Sequence, residues 1–199
     1  NGGTHNPSSP PFDFLTECFF PALRKMGYCL DGSLNAYGYY PAGGGEIVAE
    51  IGVPNDLRIF EHLDRGKEVS RSLEALISSL PGDIAKRELE TASGNALFGR
   101  REYETGTARM AQFGQKGVSA EQVGKRLAKQ MKTFASSSAT VDHHLADQLL
   151  LPMALAKGGT FATLRPSLHT TTNAEIIRRF TGRATTFEPD QNSTICQMV

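Results

Sequence analysis

Residues 141–164 have the sequence VDHHLADQLLLPMALAKGGTFATL, which contains a helical pattern followed at once by a strand pattern. From Val141 to Ala156 the apolar residues recur at the spacing of a helix that turns one side toward a core. Gly158 and Gly159 end that helix, and Thr160 to Leu164 is typical of a strand. A helix that leads directly into a strand predicts a layered α/β or α+β fold.

Helices and strands also alternate along the rest of the chain. Two capping boxes, Ser119 with Gln122 and Thr172 with Glu175, predict where two helices begin. A proline pair and a glycine bound a third helix. The predicted helices beyond the first stretch cover residues 12–26, 119–135 and 172–180, and the predicted strands cover residues 28–30, 46–51, 184–187 and 193–199, the last two joined by a turn at residues 189–192.

The middle of the sequence differs from the rest in composition and periodicity. Residues 55–117 carry more charge and weaker periodicity than their flanks, which predicts an inserted subdomain. Within it, residues 69–80 are compatible with a strand or a short helix, and residues 83–92 favour a helix. The flanking residues 1–54 and 118–199 are predicted to form the core.

Composition excludes several classes of protein. The chain has 199 residues with 21 Lys+Arg and 21 Asp+Glu, so its net charge gives no general attraction to polyanions, and any such ligand needs a local site. Three widely spaced cysteines indicate neither a disulfide framework nor a zinc site, and they favour a reducing, cytoplasmic compartment. No apolar run reaches the roughly 18 residues that a membrane span requires, so a soluble protein is expected.

His169 is the first candidate functional residue. If Thr172 caps a helix, His169 lies just before a helix N-terminus, where free backbone N–H groups and the helix dipole favour an anion such as phosphate. The simpler alternative is a polar loop histidine that is hydrogen-bonded to the backbone.

A second candidate group lies within the helix of residues 141–156. His144, Asp147 and Gln148 are spaced i, i+3 and i+4, so they share one face. This face is compatible with a solvated surface, a nucleotide-binding surface or, less well, a metal site, because the sequence lacks the HExxH spacing.

Two further segments are less informative alone. The glycine-rich residues 41–46 lack both common phosphate-binding signatures, GxGxxG and GxxxxGK[ST], so a turn between strands is the simpler interpretation. His5 and Asn6 precede a proline pair and are expected to lie in a rigid polar loop.

Four segments in this order nevertheless resemble one family, the RNA 3'-terminal phosphate cyclases of bacterial type. Each motif alone is weak, but the four in sequence order are specific, and the resemblance covers nearly the whole chain. The segments are GGTHN at residues 2–6 with the prolines at 10–11, GYYPAGGG at 38–45, HLADQL at 144–149 and HTTTN at 169–173.

The resemblance implies a fold of repeated units, each with two helices on a four-stranded sheet, plus a smaller inserted α/β subdomain. Residues 55–117 would correspond to that insertion, which is short around Arg101 to Arg109. The chain would then contain the later repeats, because the family carries a sizeable N-terminal part before Gly2.

The resemblance also implies an activity. Family members use ATP to convert an RNA 3'-phosphate into a 2',3'-cyclic phosphate through a histidine–AMP intermediate, so His169 would be the nucleophile. Adenine would lie between Pro11 and His144, which replaces a tyrosine common in bacterial relatives. Asp147 would contact the nucleotide or orient His169, and Gln148 would offer its amide. The matched ATP-binding stretch is His144, Leu145, Ala146, Asp147 and Gln148.

A divalent ion, Mg²⁺ or Mn²⁺, is expected to travel with the ATP, and the resemblance assigns no metal ligand within this chain. The expected partner is an RNA 3'-phosphate end. Two alternatives remain at this point. One is a cyclase-like scaffold for RNA processing that lacks the nucleophile, and the other is a related fold of the enolpyruvyl-transferase kind.

Overall fold

A computed structural model describes residues 2–7, 9–39, 43–54, 56–76, 96–114 and 118–199. Within these residues the chain forms four helices and nine strands, so the predicted mixture of helices and sheets is confirmed. The helices are α1 (an α-helical turn at Phe12–Phe14, a π-helical stretch at Leu15–Phe19 and an α-helical end at Phe20–Lys25), α2 (Ala120–Ala135), α3 (His143–Leu155) and α4 (Leu168–Thr181). The strands are β1 (Leu30–Ala36), β2 (Glu46–Ile51), β3 (Phe60–His62), β4 (Glu68–Leu76), β5 (Ala96–Tyr103), β6 (Gly106–Phe113), β7 (Gly159–Thr163), β8 (Thr185–Asp190) and β9 (Ser193–Met198).

A four-stranded sheet with the order β3-β7-β9-β8 forms the centre of the molecule. Strand β3 runs parallel to β7, whereas β9 is antiparallel to both of its neighbours. Helices α3 and α4 pack against each other and against this sheet. Leu149 and Met153 of α3 meet Phe161 of β7 and Cys196 of β9 in a fully buried core. The described residues thus contain one unit of two helices on a four-stranded sheet, and its repetition remains a prediction.

A second sheet, β4-β5-β6, is antiparallel and is covered by α2. The capping box predicted for α2 is present, because Ser119 and Gln122 exchange side-chain and backbone hydrogen bonds. Leu127 and Phe134 of α2 are buried in the cluster that joins α2 to this sheet. Residues 69–76, which were ambiguous in sequence, belong to a strand, and the helix predicted at residues 83–92 lies outside the described residues.

Strand β3 connects the predicted insertion to the core. Residues 60–62 lie inside the predicted segment 55–117, yet they pair in register with residues 159–161 of β7. The beginning of that segment therefore belongs to the central sheet, and the division of the chain at residues 54 and 117 remains a prediction for the rest.

Two local expectations are corrected by the backbone. The strand expected at residues 28–30 begins at Leu30 and continues to Ala36 as part of an antiparallel pair with β2. The final turn is tighter than expected, because β8 continues through Asp190 and only Gln191 and Asn192 connect it to β9. Gln191 has a positive φ of 45°, which allows this short reversal. No helix in the described part of the chain is long and apolar enough to span a membrane.

Arg65, in the connection from β3 to β4, attaches this connection to the end of α2. The last carbonyls of a helix have no partner within the helix, and the guanidinium of Arg65 supplies partners at the end of α2. Its planar fork also lies over the ring of Tyr103, 4.6 Å from the ring centroid. The four carbonyl oxygens that accept hydrogen bonds from Arg65 Nη1 and Nη2 belong to Phe134 (3.0 Å), Ala135 (3.0 Å), Ser137 (2.7 Å) and Ala139 (2.9 Å).

We therefore expect Arg65→Met to lower the free energy of unfolding by about 3 kcal/mol, because it removes four charge-assisted hydrogen bonds while keeping an apolar stem. Urea unfolding of the 199-residue chain measures this value. Arg71→Met, at an exposed position on β4, is the matched control and should change stability by less than about 0.5 kcal/mol. Equal losses for the two variants would contradict the assigned role of Arg65.

Candidate functional site

A cavity of about 460 Å³ lies between the loop that precedes α1, strand β6, helix α3 and the beginning of α4. Prolines form one wall, polar side chains of α3 form another, and a histidine of α4 lies at the cavity. The lining residues are Pro7, Ser9, Pro10, Pro11 and Phe14, then Arg109, Ala111, Gln112 and Phe113, and finally His144, Asp147, Gln148 and His169.

Most of the site residues predicted from sequence meet at this cavity. Pro11, His144, Asp147, Gln148 and His169 all line it, although they come from three distant parts of the chain.

The other two predicted residues, Leu145 and Ala146, do not line the cavity. Leu145 is 6% exposed and Ala146 is fully buried, and both belong to the core cluster. Their side chains therefore pack in the core behind the face of α3 that lines the cavity, because consecutive helical residues point in different directions.

The proline wall is held in place by His5, which lies in the polar loop before the prolines and is buried there. Its Nδ1 hydrogen-bonds with Thr4 Oγ1 (2.8 Å), and its Nε2 hydrogen-bonds with Asp13 Oδ2 (2.7 Å). The rings of Tyr37 and Tyr39 pack against the imidazole. Since Asp13 lies in α1 and His5 lies before the prolines, this contact fixes the loop between them.

Arg109 of β6 lines the cavity and was not predicted from the sequence. It is 4% exposed, and it donates hydrogen bonds to Glu17 Oε1 (2.7 Å) and Glu74 Oε2 (2.8 Å). Asp13 Oδ1 lies 3.6 Å from Arg109 Nη2. Burial of Asp13 raises the pKa of its carboxyl, but the hydrogen bond with His5 and the charge of Arg109 outweigh burial and hold that pKa below its ordinary value.

The polar face of α3 is positioned by two contacts. Asp142 caps the helix, since its Oδ1 accepts a hydrogen bond from the backbone N–H of Leu145 (2.8 Å). Asn173 of α4 donates from Nδ2 to the backbone oxygen of Asp147 (3.1 Å) and to Asp147 Oδ1 (3.2 Å). Asp147 is thus held by Asn173, and among the described hydrogen bonds none joins Asp147 to His169.

The predicted cap of α4 is wrong. The helix begins at Leu168, and Ser167 Oγ accepts a hydrogen bond from the backbone N–H of Thr170 (3.1 Å). The earlier start buries Thr170 as well as Ala174, so Thr172 lies inside the helix with an exposed side chain. His169 consequently lies in the first turn of α4 rather than before it. Its side chain is exposed at the cavity and remains close to the free N–H groups of a helix N-terminus.

Comparison with known proteins adds an independent observation. The sequence model of the family described as RNA 3'-terminal phosphate cyclase matches residues 1–187. The chain belongs to the RNA 3'-terminal phosphate cyclase family. An RNA 3'-terminal phosphate cyclase from Koribacter versatilis is 44% identical over 200 residues, which cover 90% of this chain and 56% of the relative. One from Pseudomonas aeruginosa is 40% identical over 201 residues, which cover 90% of this chain and 59% of the relative. The chain thus spans little more than half the length of these family members.

The position of Asp13 between His5 and Arg109 predicts a pH-dependent contribution to stability. A carboxyl group whose pKa is lowered by folding stabilises the protein above its unfolded pKa, here near 3.8, and this stabilisation is lost as the pH falls through the folded pKa. At pH 7, Asp13→Asn should lower the free energy of unfolding by about 1–2 kcal/mol.

Urea unfolding at several pH values between 3 and 7 measures the difference between Asp13→Asn and the unsubstituted chain. We expect the difference to shrink below pH 4. A difference that stays constant or grows toward pH 3 would contradict this assignment. Asp190→Asn, at an exposed position, is the control and should have an effect below about 0.5 kcal/mol at pH 7.

Proposed function

We propose that the protein uses ATP to convert an RNA 3'-terminal phosphate into a 2',3'-cyclic phosphodiester, through a covalent adduct between His169 and AMP. The observation that supports this proposal is the convergence of Pro11, His144, Asp147, Gln148 and His169 on one cavity in a member of the cyclase family. In this proposal the protein is an ATP-dependent ligase of RNA processing. All three cysteines are free. Free thiols are typical of proteins in a reducing compartment such as the cytoplasm, which we propose for this protein.

In the first step, an imidazole nitrogen of His169 attacks the α-phosphorus of ATP. A P–N bond forms and pyrophosphate leaves. A neutral imidazole is a good nucleophile, and the exposed side chain of His169 at the cavity leaves it accessible. The N-terminal N–H groups of α4 and its dipole would stabilise phosphoryl charge as it develops.

In the next two steps the adenylyl group passes to the RNA and then leaves as AMP. An oxygen of the RNA 3'-phosphate attacks the phosphorus of the adduct, so AMP passes to the RNA end and His169 is released. The adjacent 2'-hydroxyl then attacks the RNA 3'-phosphorus, the ring closes, and AMP departs as the leaving group. Each attack forms one P–O bond and breaks one bond at the same phosphorus.

The walls of the cavity suit the remainder of the nucleotide. Pro11 and the ring of His144 would enclose adenine from opposite sides. A flat base stacks on the imidazole ring of His144 in the same way that it stacks on the phenol ring of a tyrosine. Asp147, fixed by Asn173, and the amide of Gln148 would hydrogen-bond with the nucleotide.

We assign the divalent ion, Mg²⁺ or Mn²⁺, to the phosphates of the bound ATP. Within the described residues, no group of three or more His, Cys, Asp or Glu side chains is placed to hold a metal ion. We propose no ligand to the ion from this chain, and no step is derived from the ion.

Labelling with α-³²P-ATP and Mg²⁺ tests the nucleophile, in protein extended to the length of the curated relatives. We expect a protein–AMP adduct that is acid-labile and base-stable, as a P–N bond should be. His169→Asn should abolish the adduct and RNA cyclisation while ATP binding is retained, because the lost group acts in the chemical step.

Thr172→Ala is the matched control. This threonine lies on the same helix with an exposed side chain, so the variant should retain labelling within about twofold. Label that persists in His169→Asn, or that maps to a lysine peptide, would contradict the proposal. A scaffold without catalysis would give no adduct in any variant.

A further inference from the structure

We propose that the exposed face of α2 and a small cavity beside it bind the RNA strand, and that the 3'-terminal base enters this cavity next to His144. This inference rests on the proposed function and adds where the RNA substrate lies. We base this inference on a row of basic side chains on α2 and on a second cavity beside the proposed nucleotide site.

Helix α2 carries a basic stripe. Lys125, Lys129 and Lys132 are spaced i, i+4 and i+7, so they share one face of the helix, and Arg126 lies beside them. All four side chains are exposed, and Glu121 is the one acidic residue of this helix. In a chain with a net charge of zero, such a stripe is a local surface for a polyanion.

The stripe leads to a second cavity, of about 170 Å³. Lys129 lies both on the stripe and on the wall of this cavity. Ala111 and His144 line this cavity and also the larger one, so the two cavities are neighbours. The remaining residues of the small cavity are Met110, Gln130, Thr133, Asp142, His143 and Leu164.

The size and chemistry of the small cavity suit one nucleobase. A protein cavity of roughly 150 Å³ holds a benzene molecule, so about 170 Å³ accommodates a single aromatic ring system but not a nucleoside triphosphate. The rings of His143 and His144 lie with centroids 4.0 Å apart and offer a surface for stacking. Asp142 is 4% exposed, and its Oδ2 has no hydrogen-bond partner in the part of the chain that the structure describes. Each RNA base offers an N–H donor for such an acceptor.

The position of His169 separates the two ligands. His169 lines the larger cavity and not the smaller one, so ATP must occupy the larger cavity for its α-phosphorus to reach the nucleophile. An RNA end whose last base lies in the small cavity would direct its 3'-phosphate past His144 toward the same histidine. The basic stripe would then hold the preceding phosphates of the strand.

A triple variant, Lys125→Gln with Lys129→Gln and Lys132→Gln, tests the stripe in protein extended to the length of the curated relatives. Fluorescence anisotropy measures its binding to a single-stranded, 3'-phosphorylated RNA of ten nucleotides over a series of salt concentrations. We expect at least a tenfold loss of affinity at 0.1 M salt and a decrease of about 2 in the salt slope, because each phosphate contact contributes roughly 0.7. The corresponding Lys→Arg triple variant should retain both values.

A charge-matched control replaces Lys157, Arg178 and Arg179 with Gln, on other elements of the protein, and should change RNA affinity by no more than about twofold. Thr133→Phe, which fills the small cavity from α2, should lower RNA affinity about tenfold while the salt slope is retained. Labelling with ATP in the absence of RNA should be unchanged in all these variants.

Equal RNA affinities and salt slopes in the α2 variant and the control variant would overturn the proposal that the basic stripe binds RNA. Full RNA affinity in Thr133→Phe would overturn the proposal that the small cavity holds the 3'-terminal base. RNA binding is measured without ATP. A failure of the histidine–AMP proposal would therefore appear as absent labelling in the unsubstituted protein, independently of these results.

Discussion

The cavity depends on the ion pairs of one buried group, the guanidinium of Arg109. It joins Glu17 of α1 to Glu74 of β4, and it lies beside Asp13, which in turn holds His5. A buried charge is tolerated only when its partners are in place. The same set of ion pairs thus attaches the second sheet to α1 and fixes the loop of prolines opposite α3. Fold and candidate site share these contacts, so neither can shift independently of the other.

In our proposals, two neighbouring cavities bind two anionic ligands, ATP and the RNA end, so the protein needs no large net positive charge. His144 forms part of the boundary between them, and its ring is available to both. The larger cavity contains the candidate nucleophile, while the smaller one adjoins the basic face of α2. In our proposals, ATP and the RNA end approach His169 from different sides.

The sequence predicted the elements that depend on local rules. The capping box of Ser119 and the helical periodicity of residues 141–156 place α2 and α3 within about two residues of their observed ends. Helical spacing also grouped His144, Asp147 and Gln148 on the face that lines the cavity. Within the segment from His144 to Gln148 the helix turns Leu145 and Ala146 into the core, and their place in the binding stretch stays a prediction.

Other features depend on tertiary contacts that no local pattern contains. Ser167 and Thr172 are both suitable caps, and burial of Thr170 and Ala174 selects the earlier one. The importance of Arg109 and the burial of His5 arise from partners that are distant in sequence.

A crystal structure of the protein, extended to the length of its relatives and incubated with ATP and Mg²⁺, tests whether His169 is the nucleophile. We predict continuous electron density between an imidazole nitrogen of His169 and the phosphorus of AMP, with adenine between Pro11 and His144. AMP attached to another side chain, or adenine bound outside the larger cavity, would contradict this account.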